Sequence, residues 1–193
     1  MPTPARADPL LLRAHRFALE AHGTQRRKDG RTPYIVHPVA VMRHASTDLR
    51  IADPEILAAA LLHDVVEDTP TPREAIAAEF GDRVARLVEE LTLPPGFHGP
   101  GAEEDAKTRR LVEDASRMSA DALAIKLCDR WDNLDDSANL AWDDVRREGF
   151  RAQTHQILAV VQRRLAREPF TPEERRRIEA GIAGVVAKVG KPA

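Results

Sequence analysis

The stretch LLHDVVEDTPT, residues 61–71, places a histidine and three carboxylates directly after an uninterrupted apolar run. If one helix continues through this stretch, His63 and Glu67 share a face. Asp64 and Asp68 then lie together on the adjacent stripe. Burying several carboxylates is costly unless a positive charge neutralises them, and a bound metal ion does so. A helix end that points into solvent is the alternative, and these residues alone leave both interpretations open.

Two further segments supply residues of the metal-ligand type. YIVHPVAVM (34–42) places His37 in an apolar neighbourhood, immediately before a proline that suits a helix start. AIKLCDRWDNL (124–134) places Asp129 on a predicted helix whose other face is aliphatic, with Asn133 one turn further on. A histidine, a His-Asp pair and a distant aspartate, in this order, are a familiar set of metal ligands.

With these segments the sequence resembles the HD-domain phosphohydrolases. More narrowly, it resembles the small alarmone hydrolases of the Rel/SpoT type, such as the metazoan SpoT homologues. The resemblance runs from about residue 15 to about 134, and more loosely to about 165. Its most specific stretches are QRRKDGRTPYIVHP (25–38), LAAALLHDVVEDTPT (57–71), FGDRVARLVEELT (80–92) and IKLCDRWDNL (125–134).

The resemblance implies an activity and a set of functional residues. The implied reaction removes the 3′-diphosphate of guanosine tetra- or pentaphosphate as pyrophosphate. One metal ion, usually Mn²⁺ in this family, is implied at His37, His63, Asp64 and Asp129. Glu67 and Asp68 are implied to handle the attacking water. Nucleotide contacts are implied at Arg27, Lys28, Tyr34, Asn133 and, through an alignment that needs a gap, Arg146.

The chemistry of these residue types agrees with such a reaction. Two histidines and two aspartates suit Mn²⁺ or Fe²⁺, with Co²⁺ and Zn²⁺ as alternatives. A metal ion lowers the pKa of a bound water, and a nearby carboxylate can accept its proton. The planar guanidinium of Arg27 suits stacking on guanine, whereas Lys28 is the better point charge for a phosphate. A solvated turn before Gly30 is the plain alternative for this basic segment.

Three carboxylates depart from the family pattern, and they leave the substrate open. Asp132 stands where relatives tend to have histidine or tyrosine, and Asp135 and Asp136 occupy a region that is usually more basic. Pointing into the pocket, they would repel a polyphosphate. An HD phosphohydrolase acting on another nucleotide, as a 5′-nucleotidase or phosphodiesterase, is therefore one alternative. A non-catalytic alarmone-binding protein is another, although all six metal and water-handling positions carry competent residues.

The elements that must position these residues are all predicted to be helical. Strand signals are almost absent, and residues 34–36 form at most an extended link between two prolines. The predicted class is all-α, a single HD-type bundle of about eight to nine helices over residues 1–193, with a core of about 9–167 and a C-terminal helix near 172–189. Helices are predicted near 9–22, 38–46, 54–68, 72–80, 82–92, 103–118, 120–140, 143–167 and 172–189.

Composition narrows the choice of partners. The formal charge of −2 is close to balance, so no global field recruits nucleic acid or an anionic membrane. No apolar run approaches the ~20 residues of a membrane span, and one cysteine excludes an internal disulfide. We expect a cytoplasmic protein whose partner is a small guanine nucleotide. The sequence is also compatible with a homo-oligomer.

Overall fold

The computed structural model describes residues 9–97, 104–139 and 143–189. These residues contain helices and turns, no strand, and a single isolated bridge between Arg26 and Pro33. The predicted all-α class is confirmed. The helices are α1 (Pro9–His22), α2 (Val36–Arg43) with a π-helical extension (His44–Asp48), α3 (Pro54–Leu62), α4 (Val65–Asp68), α5 (Arg73–Phe80), α6 (Asp82–Leu91), α7 (Glu104–Ala115), α8 (Ala120–Asn139), α9 (Asp144–Arg167) and α10 (Pro172–Val189).

Helix α3 lies at the centre of the bundle. Residues 56–62 of this helix are all buried, and α1, α2, α6 and α8 pack around it. A helix that is apolar on every side needs such a position, which explains the uninterrupted apolar run in the sequence. Asp53 begins α3 as its N-cap, because its side chain accepts a hydrogen bond from the Glu55 amide at 2.9 Å.

The predicted continuous helix 54–68 is wrong, because the chain turns at His63 and Asp64 between α3 and α4. His63 Nδ1 donates to the Ala60 carbonyl at 2.9 Å, so the side chain satisfies a carbonyl at the end of α3. Helix α4 is a single turn that begins with the bond from the Asp68 amide to the Asp64 carbonyl, 2.8 Å long. Asp64 and Asp68 nevertheless lie together, because the Tyr34 hydroxyl is 2.7 Å from a carboxylate oxygen of each.

The start of the second helix also differs from the prediction. Residues 34 and 35 form a turn, and α2 begins at Val36 rather than at Pro38. The amide of His37 donates to the Tyr34 carbonyl at 3.0 Å, so residues 34–36 are not an extended link. This turn orients Tyr34 and His37 toward the same part of the bundle, where their rings meet edge to face.

The C-terminal helix packs closely on α8. Gly181 and Gly184 of α10 face Leu127 and Trp131, so the two helices approach where a side chain would not fit. This contact supports the helix that carries Asp129. Within the described ranges, no helix is long and apolar enough to cross a membrane.

Candidate metal and nucleotide site

Four side chains from three parts of the bundle converge on one point. His37 comes from α2, His63 and Asp64 from the turn after α3, and Asp129 from α8. His37 Nε2 lies 3.4 Å from Asp64 Oδ2 and 3.3 Å from Asp129 Oδ1. His63 Nε2 lies 3.2 Å from Asp64 Oδ1 and 3.9 Å from Asp129 Oδ1. Two imidazole nitrogens and two carboxylates thus face one another in a largely buried cluster.

Both imidazoles turn the same nitrogen toward the cluster. His63 Nδ1 bonds to the Ala60 carbonyl, and His37 Nδ1 lies 2.6 Å from Asp132 Oδ2. Because each Nδ1 meets an acceptor, the neutral form of each imidazole directs the Nε2 lone pair toward the centre. Among the described residues, His63 Nε2 is buried and makes no hydrogen bond, although Asp64 Oδ1 lies 3.2 Å away. A buried nitrogen in this state is costly unless a ligand such as a metal ion binds it. These features fit a divalent transition-metal ion.

The cluster shifts the acid–base equilibria of its members. Burial by itself would lower the pKa of His37, but hydrogen bonds to surrounding carboxylates raise it well above the ordinary value of 6.5. Burial would raise the pKa of Asp129, but Lys126 at 3.0 Å and the two histidines hold it well below 3.8. The two histidines likewise hold the pKa of Asp64 well below 3.8, so Asp64 and Asp129 are ionised at neutral pH. A bound cation would take the place of protons on the imidazoles.

Tyr34 links the cluster to the next carboxylate along the chain. Its hydroxyl lies 2.7 Å from both Asp64 Oδ2 and Asp68 Oδ2, so one hydrogen serves two acceptors. Burial and these two carboxylates raise the pKa of Tyr34, which keeps the hydroxyl protonated. The ring stacks on His22 with centroids 4.6 Å apart. Tyr34 thus holds Asp64 and Asp68 in fixed positions.

Glu67 is anchored from a different direction. The amide of Leu93, just beyond α6, donates to Glu67 Oε2 at 2.7 Å. Glu67, Asp68 and Leu93 all line the cavity that opens onto the cluster. The two acidic side chains that follow the His-Asp pair therefore lie beside the converging ligands.

The cavity has a volume of about 560 Å³, within the range of small-molecule sites. His37, Asp64 and Asp129 form part of its wall. Its lining contains five acidic side chains and seven basic ones, and a divalent ion would add two further positive charges. This balance favours a ligand with several negative charges. The basic lining residues are Arg26, Arg27, Lys28, Lys107, Lys126, Arg130 and Arg146.

All five residues expected to contact a nucleotide line this cavity: Arg27, Lys28, Tyr34, Asn133 and Arg146. Arg27 Nε donates to Asp136 Oδ2 at 2.7 Å, and the Arg27 Cζ atom lies over the Tyr34 ring, 5.6 Å from its centroid. Partial burial and the neighbouring Arg146, Arg27 and Lys107 lower the pKa of Lys28 to about 8. Asn133 Nδ2 donates to Asp129 Oδ1 at 2.5 Å, so it also orients a predicted metal ligand.

The acidic run on α8 has three separate partners. Asp132 contacts His37, Asp136 binds Arg27, and Asp135 lies 2.6 Å from Lys188 on α10. None of the three is among the described residues that line the cavity. Arg27 neutralises Asp136, and Lys188 neutralises Asp135. These two carboxylates therefore do not repel an anionic ligand in the cavity directly.

Several residues that line the cavity were not predicted from the sequence. Lys107 lies on α7, Lys126 and Arg130 on α8, and Gln153 on α9. Arg130 donates to Gln153 Oε1 at 2.6 Å and lies over the Phe150 ring. Of these four residues, only Lys126 could have been predicted to lie near the site from the sequence, since it lies three residues before Asp129 on the same helical face. The others meet only because α7, α8 and α9 pack together.

Comparisons with known proteins agree on one family. Residues 14–166 match the HD domain. The guanosine-3′,5′-bis(diphosphate) 3′-pyrophosphohydrolase MESH1 of Danio rerio is 44% identical over 128 residues, which are 66% of this chain and 68% of that protein. The human MESH1 protein is 44% identical over 127 residues, 65% of this chain and 68% of its own length.

A longer relative and a solved structure extend the match. The guanosine-3′,5′-bis(diphosphate) 3′-pyrophosphohydrolase of Aquifex aeolicus is 38% identical over 154 residues, 79% of this chain and 21% of that protein. A solved structure, described as a metazoan ortholog of SpoT that hydrolyzes ppGpp, superimposes with a TM-score of 0.74 at 28% identity. The match covers 92% of this chain and 96% of that chain, so the two share one fold.

Proposed function

The chain belongs to the HD-domain family, and we propose that it is a metal-dependent hydrolase that removes the 3′-diphosphate of guanosine tetra- or pentaphosphate as pyrophosphate. The observation that carries this proposal is the buried group of His37, His63 and Asp129 beside a cavity rich in basic side chains. Asp64, which is partly buried, adds a carboxylate 3.4 Å from His37 Nε2 and 3.2 Å from His63 Nε2. The substrate follows from relatives at 44% identity whose names specify this reaction.

The proposed metal ligands are His37, His63, Asp64 and Asp129. Mn²⁺ is the proposed ion, with Fe²⁺, Co²⁺ or Zn²⁺ as alternatives for the same donor set. When bound, such an ion lowers the pKa of a coordinated water and screens the negative charge of a phosphate. The hydrogen bonds at both Nδ1 atoms support this assignment, because they keep the Nε2 lone pairs directed inward.

Glu67 and Asp68 are the proposed proton-handling residues. Both line the cavity, as does Asp64. Asp64 differs from them in that it lies 3.4 Å from His37 Nε2 and 3.2 Å from His63 Nε2. The Leu93 amide orients Glu67, and the Tyr34 hydroxyl orients Asp68. A carboxylate held in this way can accept the proton of the attacking water, and one of the two can later serve the leaving oxygen.

Five further residues are proposed to bind the nucleotide. Asp136 and Asn133 hold the edge of the Arg27 guanidinium, whereas stacking on guanine uses its face. Lys28 and Arg146 are the proposed phosphate-binding residues, since both are basic and line the cavity. Tyr34 and Asn133 also line the cavity, and each donates a hydrogen bond to a carboxylate of the cluster, Asp64 and Asp129 respectively.

The test is a panel of nucleotides incubated with the Mn²⁺-loaded protein, with products separated by anion-exchange chromatography. We expect intact pyrophosphate from the 3′ side of the tetraphosphate, and a 5′-diphosphate that stays uncleaved. A cyclic dinucleotide and 5′-monophosphates should be far poorer substrates. Faster release of orthophosphate from 5′-monophosphates would make the protein a general nucleotidase instead. The His63→Ala variant, purified in parallel, controls for contaminating phosphatases.

A further inference from the structure

Asp132 lies behind a predicted metal ligand and not in the cavity. Its Oδ2 accepts a hydrogen bond from His37 Nδ1 at 2.6 Å. The Asp132 side chain is 15% exposed and that of His37 is 1% exposed, so water competes little for this contact. The opposite nitrogen of the same ring, Nε2, faces Asp64 and Asp129.

We propose that Asp132 is a positioning residue for the metal centre, which holds the His37 proton on Nδ1 so that the Nε2 lone pair can bind the ion. This inference rests on the metal site of the proposed function. A carboxylate behind a metal-binding histidine fixes the orientation of the ring and increases its donor strength.

The two histidines of the cluster differ in this respect. His63 Nδ1 donates to a neutral acceptor, the Ala60 carbonyl, at 2.9 Å. The partner of His37 is a carboxylate, and hydrogen bonds with an ionised partner are shorter and stronger than those between neutral groups. Asp132 therefore increases the donor strength of His37 Nε2 more than the Ala60 carbonyl increases that of His63 Nε2.

Arg27 keeps this arrangement electrically balanced. Its guanidinium lies 3.7 Å from Asp132 Oδ2 and forms an ion pair with Asp136. A buried carboxylate without a cation nearby would be strongly destabilising. Since Arg27 also lines the cavity, its guanidinium connects the proposed nucleotide site with the residue behind the metal ligand.

The experiment measures Mn²⁺ affinity of the metal-stripped protein by competition with a chelator. Asp132→Ala should weaken Mn²⁺ binding roughly 10–100-fold, the usual effect of removing such a partner. Asp132→Asn should fall between the wild type and Asp132→Ala, because an amide oxygen still accepts from Nδ1 but carries no charge. The matched control is Asp135→Asn, which changes a carboxylate on the same helix that pairs with Lys188. This control should bind Mn²⁺ like the wild type.

A spectroscopic measurement separates positioning from general destabilisation. In the Zn²⁺-loaded protein with ¹⁵N-labelled histidine, the His37 Nδ1 should be protonated and Nε2 bound to the ion. The His37→Gln variant assigns the signals. Asp132→Asn should keep this pattern and Asp132→Ala should lose it.

The outcomes distinguish this inference from the proposed function. If the wild type binds no Mn²⁺, the metal centre itself is wrong. If the wild type binds Mn²⁺ and both Asp132 variants bind equally well, only the role of Asp132 is wrong. Asp132→Asn nearly preserves the shape of the side chain, so it remains informative if Asp132→Ala does not fold.

Discussion

Glu67→Gln separates proton transfer from metal binding. In the structure, Glu67 Oε2 accepts a hydrogen bond from the Leu93 amide at 2.7 Å. The amide oxygen of glutamine can accept the same bond, so the side chain should keep its position. What the variant loses is a carboxylate that can take a proton from water.

Glu67→Gln has two effects of different size, one on kcat and one on the stability of the fold. Loss of an acid–base group lowers kcat by roughly 10²–10⁴, which corresponds to about 2.7–5.4 kcal/mol of transition-state stabilisation. Replacing a charged acceptor by a neutral one at the Leu93 amide costs about 1 kcal/mol of stability. The variant should therefore stay folded, keep its metal ion and its KM, and lose most of its turnover.

The assay is steady-state release of pyrophosphate, combined with elemental analysis of the same preparation and with thermal unfolding. Glu90→Gln is the matched control, since Glu90 Oε2 likewise accepts a backbone N–H, from Ser119 at 2.6 Å, but does not line the cavity among the described residues. Its kcat should equal that of the wild type. If Glu67→Gln loses its metal ion, Glu67 is a ligand. If the variant keeps both its metal ion and its kcat, a group other than Glu67 accepts the proton of the attacking water.

Three further predictions concern the metal, the nucleotide and the packing of the bundle. His63→Ala should abolish binding of about one transition-metal ion per chain, and full retention by elemental analysis would refute its role as a ligand. Arg27→Ala should weaken transition-state binding, measured as kcat/KM, by about 1–3 kcal/mol, the scale of base stacking, and an unchanged kcat/KM in the metal-loaded variant would contradict a nucleotide role. Gly184→Ala should destabilise the protein by about 1–3 kcal/mol in urea unfolding, because its Cβ would lie 2.0 Å from Trp131 Cζ3. Gly149→Ala, on an exposed part of α9 where a Cβ meets no atom within 4 Å, should instead stabilise by about 1 kcal/mol.

The sequence by itself determined the helical class and the types of the central ligands. The apolar run of α3 is buried on all sides, as its lack of polar residues requires. His37, His63, Asp64 and Asp129 could be named as candidate ligands because their order and flanking segments resemble the HD-domain phosphohydrolases, whereas the residues around His63 alone left a solvent-exposed helix end open. These inferences depend on local composition and order, which the sequence contains in full.

Only the tertiary structure decided what each polar side chain contacts. Helical periodicity predicted one rod through residues 54–68, whereas packing places a turn at His63 and Asp64 and directs both toward α2 and α8. The acidic run of α8 was ambiguous for the same reason. Asp132 and Asp136 meet His37 and Arg27, about a hundred residues away in sequence. Local propensities act over a few residues, whereas such contacts depend on how distant helices pack around a shared core.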